Sequence, residues 1–155
     1  MGINGGHSRP GAVLFACNLN AIRSPMAEAL VKHFFGNRIY VDSCGVEAGA
    51  PDSFASAVMA EMGIDLSHHR PKSFDELVDT SFDLVIALTP EALACAEDMA
   101  RASSIEVEYW PTSDPGSDGS DEGNREARLA AYRALRDEIA SMIQKRFSAD
   151  RTATA

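Results

Sequence analysis

The sequence has too few basic residues, too few cysteines and too short an apolar run for three broad classes of protein. Fourteen Lys and Arg stand against 23 Asp and Glu, a formal charge of −9, which repels a polyphosphate backbone and argues against nonspecific nucleic-acid binding. No apolar stretch approaches the ~20 residues that span a bilayer, and Met1 to Pro10 is a Gly-rich polar tail without the apolar centre of a signal peptide. A soluble, cytoplasmic protein with neither a nucleic-acid nor a membrane partner is expected. Three cysteines, Cys17, Cys44 and Cys95, cannot complete a disulfide framework, and none sits in a CxxC pair suited to structural zinc. They are expected to be free thiols, so the question is whether one of them is reactive. What the sequence does have is 155 residues with 45% apolar content, enough to fill the core of one domain.

That domain is expected over residues 11–148, between a disordered tail at 1–10 and a frayed one at 149–155. Gly11 to Ala16 is a short, nearly continuous apolar run that stops at Cys17-Asn-Leu-Asn-Ala, which predicts a buried strand entering a loop. Ser24-Pro25, a capping residue followed by the proline favoured at a first helical position, opens a helix with Met26, Ala27, Leu30, Val31 and Phe34 apolar, stopped near Gly36-Asn37. Strands are predicted at Ile39–Cys44, Leu84–Leu88 and Ile105–Tyr109, and helices at Asp52–Met62, from Thr89-Pro90 to about Ala102, and at Asn124–Phe147. A short helical piece falls around Phe74 to Val78. Trp110 to Gly123 is a long loop rich in Pro, Gly, Ser and Asp, and long loops in compact domains are often functional. The last helix places Leu129, Tyr132, Leu135, Ile139 and Met142 on one stripe. Strands alternating with helices predict an α/β fold of three layers, a four-stranded parallel sheet with helices on both faces.

In such a sheet ligands collect at the carboxyl ends of the strands, and Cys17 lies at that edge. Cys17-Asn18-Leu19-Asn20-Ala21-Ile22-Arg23-Ser24 is a short loop wrapping onto a helix start. It can turn several backbone N–H groups inward as an anion cradle with the positive end of the helix behind it. Arg23 can hold two oxygens of a tetrahedral oxyanion in its planar fork. The same field favours a thiolate at Cys17, a nucleophile aimed at a bound phosphorus, and Ser24 Oγ can donate to its sulfur. A strand-end cysteine is more often inert packing. Composition alone, however, gives roughly 0.2 Cys-x5-Arg pairs and about 0.03 with a following Ser or Thr, so the motif is unlike coincidence.

The loop with Pro25-Met26-Ala27-Glu28, and with Asn20 three residues after the cysteine, resembles the signature of the low-molecular-weight protein tyrosine phosphatases. Ser43-Cys44-Gly45, Gly63-Ile64-Asp65-Leu66-Ser67 with His69-Arg70, and an Asp-Pro before the last helix extend the resemblance over nearly the whole chain. It implies a sheet in the order 2-1-3-4 and hydrolysis of phosphotyrosine or other aryl phosphate esters through a phosphocysteine, with no metal or other cofactor. Cys17 is then the nucleophile and Arg23 the phosphate clamp, with Asn18, Leu19, Asn20, Ala21, Ile22, Arg23 and Ser24 forming the phosphate-binding loop. Asn20 and Ser43 are its implied supports, although a loop Asn tolerating left-handed backbone and an ordinary strand-end Ser account for them equally. The implied partners are a phosphorylated protein or small aryl phosphate and inorganic phosphate as product and inhibitor, acting on a monomer or weak dimer.

The leaving oxygen needs a proton, and Asp114-Pro115, the sole Asp-Pro, lies in the long loop where the family carries its acid. Asp114 is expected to act as general acid and then general base. Asp118 and Asp121 read as solvated loop charges, either able to substitute. His68 and His69 project differently and have no carboxylate cluster, so a structural turn is the better reading than a metal pair. Cys44 and Cys95 read as small buried hydrophobes.

Four positions depart from the family pattern. Leu19 stands where Gly is usual, and Ile22 where many members carry a second cysteine that protects the first. Gly116-Ser117 replaces the aromatic wall of eukaryotic members, leaving Trp110, Tyr40 or Leu19 to supply one. The family's Asp after strand three is unmatched at Thr89-Pro90-Glu91. Arsenate reductases of this fold use the same Cys-x5-Arg loop, and Trp110…Asp114-Pro115 with Arg136-Asp137-x-Ile139 resembles their C-terminal part. They resolve the arsenic adduct with further cysteines, usually a pair after strand three, where this chain has only Cys95. A third reading is a catalytically weak phosphate-binding module.

Overall fold

A computed structural model describes residues 10–115 and 124–154 of the chain. Four strands, β1 (Ala12–Cys17), β2 (Tyr40–Gly45), β3 (Leu84–Ala87) and β4 (Glu106–Tyr109), form one wholly parallel sheet in the order β2-β1-β3-β4. Four α-helices connect and follow them: α1 (Arg23–Phe35), α2 (Ser53–Ala60), α3 (Pro90–Ala100) and α4 (Arg125–Thr154). This is the α/β architecture and strand order expected from the sequence.

Because successive side chains of a strand point to opposite faces, β1 feeds two separate cores. Val13, Phe15 and Cys17 join the larger core with α1, α2 and α4, whereas Leu14 and Ala16 join Cys44, Val85 and Ala87 against Ala92 and Ala96 of α3. The first core holds bulky side chains such as Phe15, Met26, Tyr132 and Phe147, all fully buried. In the second, α3 presents Ala92 and Ala96 to the sheet, small side chains that let helix and strands approach closely. The apolar stripe of α4 runs through Leu129, Tyr132, Leu135, Ile139, Ile143 and Phe147. Met142, assigned to that stripe from sequence, is only partly buried beside it, because true helical spacing carries the face on to Ile143.

Boundaries shift for identifiable reasons. Asp52 caps α2 by accepting from the Ala55 N–H, and Thr89 caps α3 in the same way from Ala92, as Ser, Thr, Asp and Asn do at helix starts. Helix α2 ends at Ala60, with a turn through Gly63 at φ +77°, and α4 continues past Phe147 to Thr154, where no Gly or Pro stops it. The clearest difference is at α1. It begins at Arg23, so Ser24 lies inside its first turn and does not cap it. Pro25 is still tolerated there because its missing N–H is one that the first turn leaves unpaired anyway. The Ser24 hydroxyl has other partners.

Candidate active site

The register aligns Cys17 with Gly45 and Ala16 with Ala87, so the carboxyl ends of β1, β2 and β3 lie side by side. Between Cys17 and Arg23 the chain leaves β1, turns and enters α1. Val46, Glu47 and Gly49 donate backbone hydrogen bonds to the carbonyls of Cys17, Asn18 and Leu19 at 3.0, 2.9 and 2.8 Å. The carbonyls of the loop are thereby held outward. Among the described residues, no acceptor engages the N–H groups of Asn18, Leu19, Asn20, Ala21 or Ile22. Convergent donors at the start of a helix are the physical requirement for holding an oxyanion.

Close approach between β2 and the loop depends on Gly45. A Cβ there would stand 2.6 Å from the Glu47 carbonyl, 2.7 Å from Asn20 N and 2.9 Å from the Asn18 carbonyl, all backbone atoms that cannot swing away. Asn20 is the only non-glycine residue with positive φ among those described, at +54°. Its side chain is completely buried and fully used: Nδ2 donates to Ser24 Oγ at 2.9 Å and Ser43 Oγ at 3.0 Å, and Oδ1 accepts from the Lys72 N–H at 2.9 Å. Asn20 thus combines left-handed backbone with side-chain hydrogen bonds to Ser24, Ser43 and Lys72. Ser43 in turn donates to Glu28 Oε1 at 2.6 Å, and His69 Nε2 donates to the Asn20 carbonyl at 2.9 Å.

Cys17 is 2% exposed, and its Sγ lies 2.9 Å from Ser24 Oγ. That hydroxyl accepts from Asn20, and its single proton can reach either the sulfur or the Cys44 carbonyl at 3.2 Å. Arg23 is 7% exposed; its Nη1 donates to the Thr112 carbonyl at 3.1 Å, and its Nη2 lies 3.8 Å from Asp114 Oδ2. Thr112 Oγ1 donates to the Leu88 carbonyl at 3.1 Å, tying the same loop to the end of β3. Cys17, Arg23, Ser24, Asn20, Ser43 and Asp114 are thus brought together at one sheet edge.

Of the proposed walls, Leu19 is 49% exposed on the loop, with its Cβ packed at Gly49. Trp110 follows β4 and sets its ring edgewise to Phe15 at 5.9 Å. Tyr40 cannot contribute, because it begins β2 at the opposite end of the parallel sheet and stacks on Phe82. Gly116, Ser117, Asp118 and Asp121 lie outside the described residues.

Sequence reasoning missed four supports: Gly45, Glu28, His69 and Thr89. Thr89 is buried, and besides capping α3 it donates from Oγ1 to Asn18 Oδ1 at 2.7 Å, across the β1–β3 boundary. A capping signal directly after a buried strand on the ligand edge was the available clue. Among the described residues no group of three or more His, Cys, Asp or Glu is arranged to hold a metal ion.

The other thiols occupy different surroundings. Cys44 belongs to the α3-side core and Cys17 to the opposite one, so the sheet separates their side chains. Burial, and secondarily the nearby Asp42 carboxylate, pushes the Cys44 thiol far above its usual range. Cys95 sits half-buried on α3.

The profile of low molecular weight phosphotyrosine protein phosphatases matches residues 12–149. The chain belongs to this family. Within it, an arsenate reductase of Halalkalibacterium halodurans is 33% identical over 132 residues, covering 85% of this chain and 91% of the relative. Among solved structures, the low molecular weight protein tyrosine phosphatase from T. tengcongensis superposes with a TM-score of 0.69 at 27% identity, covering 86% of this chain and 95% of its own. The YwlE arginine phosphatase with a phosphorylated active-site serine does so with a TM-score of 0.69 at 26% identity, covering 86% and 91%. This family fold therefore hosts both phosphatases and arsenate reductases.

Proposed function

We propose that the chain is a metal-independent phosphatase acting on phosphotyrosine or other aryl phosphate esters, with Cys17, Arg23 and Asp114 as its catalytic residues. The observation that carries this reading is the placing, on one short loop, of Cys17 Sγ 2.9 Å from Ser24 Oγ and of Asn18–Ile22 N–H groups that no acceptor among the described residues engages, with Asp114 3.8 Å from Arg23.

The cradle and Arg23 bind the three non-bridging oxygens and stabilise the charge they carry in the transition state. Cys17 Sγ attacks phosphorus as the thiolate, an S–P bond forms and the P–O bond to the aryl group breaks. Asp114 gives its proton to the departing oxygen. Asp114, now a carboxylate, takes a proton from a water whose oxygen attacks phosphorus. The S–P bond breaks, inorganic phosphate leaves, and the returning thiolate receives the Ser24 hydroxyl proton as a hydrogen bond. No electrons are transferred, so hydrolysis calls on no second thiol.

Arsenate reduction is the second reading, favoured by the relative bearing that name. It needs a thiol to attack a Cys17 adduct, yet Cys44 lies across the sheet and Cys95 is the one cysteine after β3. The test is turnover of an aryl phosphate in the presence of a chelator. Hydrolysis that disappears in Cys17→Ser and falls by about 10²- to 10⁴-fold in Asp114→Ala supports the phosphatase. Full activity in Cys17→Ser overturns it. Arsenate-dependent thiol oxidation that is lost in Cys95→Ser, with no ester hydrolysis, establishes the reductase instead. Phosphate binding without either reaction would leave the phosphate-binding module.

A further inference from the structure

A cavity of about 730 Å³ lies between α1 and the segment 64–72, and Cys17, Leu19 and Arg23 are not among its walls. Its size is that of a small-molecule site. Pro25, Ala29, Ile64 and Leu66 are its apolar lining, and Lys32, Arg70 and Lys72 its cationic lining. Two of these cations are already paired: Lys32 with Glu28 and Lys72 with Asp42, each at 2.7 Å. Arg70 has no ionic or hydrogen-bonding partner among the described residues. An unpaired guanidinium over an apolar wall, in a chain of net charge −9, is a local exception to the acidity of the molecule.

We propose that this cavity binds a small organic monoanion, a carboxylate carried on an apolar body, and that its occupancy is coupled to oxyanion binding at the Cys17 loop. The guanidinium of Arg70 presents a planar fork matched to one carboxylate. A dianionic phosphate is disfavoured because Glu28 and Asp65 also line the cavity. The apolar body covers Pro25, Ala29, Ile64 and Leu66, which supply burial without further charge.

The coupling follows from what the cavity walls do on their other side. His69 donates to the Asn20 carbonyl, the Lys72 backbone N–H donates to Asn20 Oδ1, and Glu28 accepts from Ser43, which itself accepts from Asn20. Three lining residues therefore hold the one residue of the cradle with left-handed backbone. A ligand seated on these walls holds in place the hydrogen bonds on which the pre-formed geometry of the cradle depends, and linkage makes the effect mutual. The inference concerns binding and stands whether or not the chain hydrolyses esters.

Two-dimensional NMR titration of the full chain tests it, using 2-naphthoate as probe, 2-naphthalenemethanol as its neutral counterpart and 2-naphthylphosphonate as the dianion. The expected result is saturable naphthoate binding with shifts at Ala29 and residues 64–72, persisting when inorganic phosphate fills the Cys17 loop. The neutral alcohol and the phosphonate bind this cavity more weakly. Arg70→Ala, an exposed position, weakens naphthoate by about ten-fold, and Ala29→Phe removes binding by filling the apolar side. Saturating naphthoate tightens phosphate by about five-fold or more, and phosphate tightens naphthoate by the same factor. Shifts confined to residues 18–24, equal binding of the alcohol, indifference to Arg70→Ala, or unchanged phosphate affinity would each overturn the proposal. None of these readouts requires turnover, so their failure is separate from failure of the phosphatase reading.

Discussion

Between Cys17 and Ser24 the backbone is pinned from three directions, by the 46–49 segment, by Ser43 on β2 and by His69 and Lys72. Between Trp110 and Asp114 the chain is held at the end of β3 and at Arg23: the Trp110 N–H donates to Ala87, the Thr112 hydroxyl to Leu88, and Arg23 meets both the Thr112 carbonyl and the Asp114 carboxylate. The first loop is built to be in place before a substrate arrives, which is what electrostatic stabilisation of a developing charge demands. The second is tethered at its start and leads into a long Pro-, Gly- and Ser-rich stretch, as suits a segment that must admit leaving groups of different shapes. Arg23 belongs to both loops. One guanidinium thus joins two loops that are anchored to different parts of the sheet.

Arg23→Ala breaks the comparison most completely, because it removes the clamp from one loop and the tether from the other. Aryl phosphate turnover is expected to fall by about 10³-fold or more, and inorganic phosphate binding should be lost with it. Asn20→Ala attacks the rigid loop alone. It deletes buried hydrogen bonds and leaves an alanine in left-handed backbone, so phosphate affinity should weaken by about ten-fold or more and Tm should fall. Isothermal titration and thermal melting read both effects, and an unchanged phosphate affinity would show that the loop does not depend on its bracing.

Thr112→Val touches only the tethered loop. Losing one hydroxyl bond is worth about 1 kcal/mol, so kcat should drop a few-fold while phosphate affinity stays constant. A loss of phosphate binding in that variant would mean that the two loops are one rigid unit. Smallest of all is a change outside both. Hydrogen bonds from Arg133, and then Arg136, hold the Glu61 carboxyl below the ordinary carboxylate range and link the end of α2 to α4. A depressed folded-state value contributes stability above the unfolded value of about 4.3 and loses it as pH falls through the folded one. Glu61→Gln should therefore lower Tm slightly at neutral pH, and the difference from the parent should close on acidification, with phosphate affinity unaffected throughout.

The fold was legible because its signals are local. Buried strands ended at polar loops, Asp52 and Thr89 capped helices, and Gly36 stopped α1 where expected, at φ +61°. The loop from Cys17 to Ser24 was legible because its spacing is local too. The bracing was not. His69 reaches Asn20 across 49 positions and Thr89 reaches Asn18 across 71; the capping signal at Thr89 marks its place on the ligand edge but not the residue it meets there. Ser24 was read both as a helix cap and as a donor to the Cys17 sulfur; it lies inside the first turn and caps nothing, its hydroxyl is 2.9 Å from the sulfur, and the Asn20 amide on it is the partner the local pattern did not show. Tyr40 failed as a wall because it opens β2, and in a parallel sheet the start of a strand lies opposite the carboxyl edge that holds Cys17, a consequence the predicted strand bounds already carried.

Gly45 contributes no side chain, no charge and no hydrogen-bonding group beyond its peptide, yet among the described glycines it has the least room for a side chain. Even one added carbon would meet three backbone atoms within 3 Å. An engineer wishing to reshape the pocket could enlarge Leu19 or recolour the surface at Arg70, but a library randomised at 45 should return glycine almost alone. A gate on sequence drift is held open here by a residue that offers the solvent and the substrate nothing to touch.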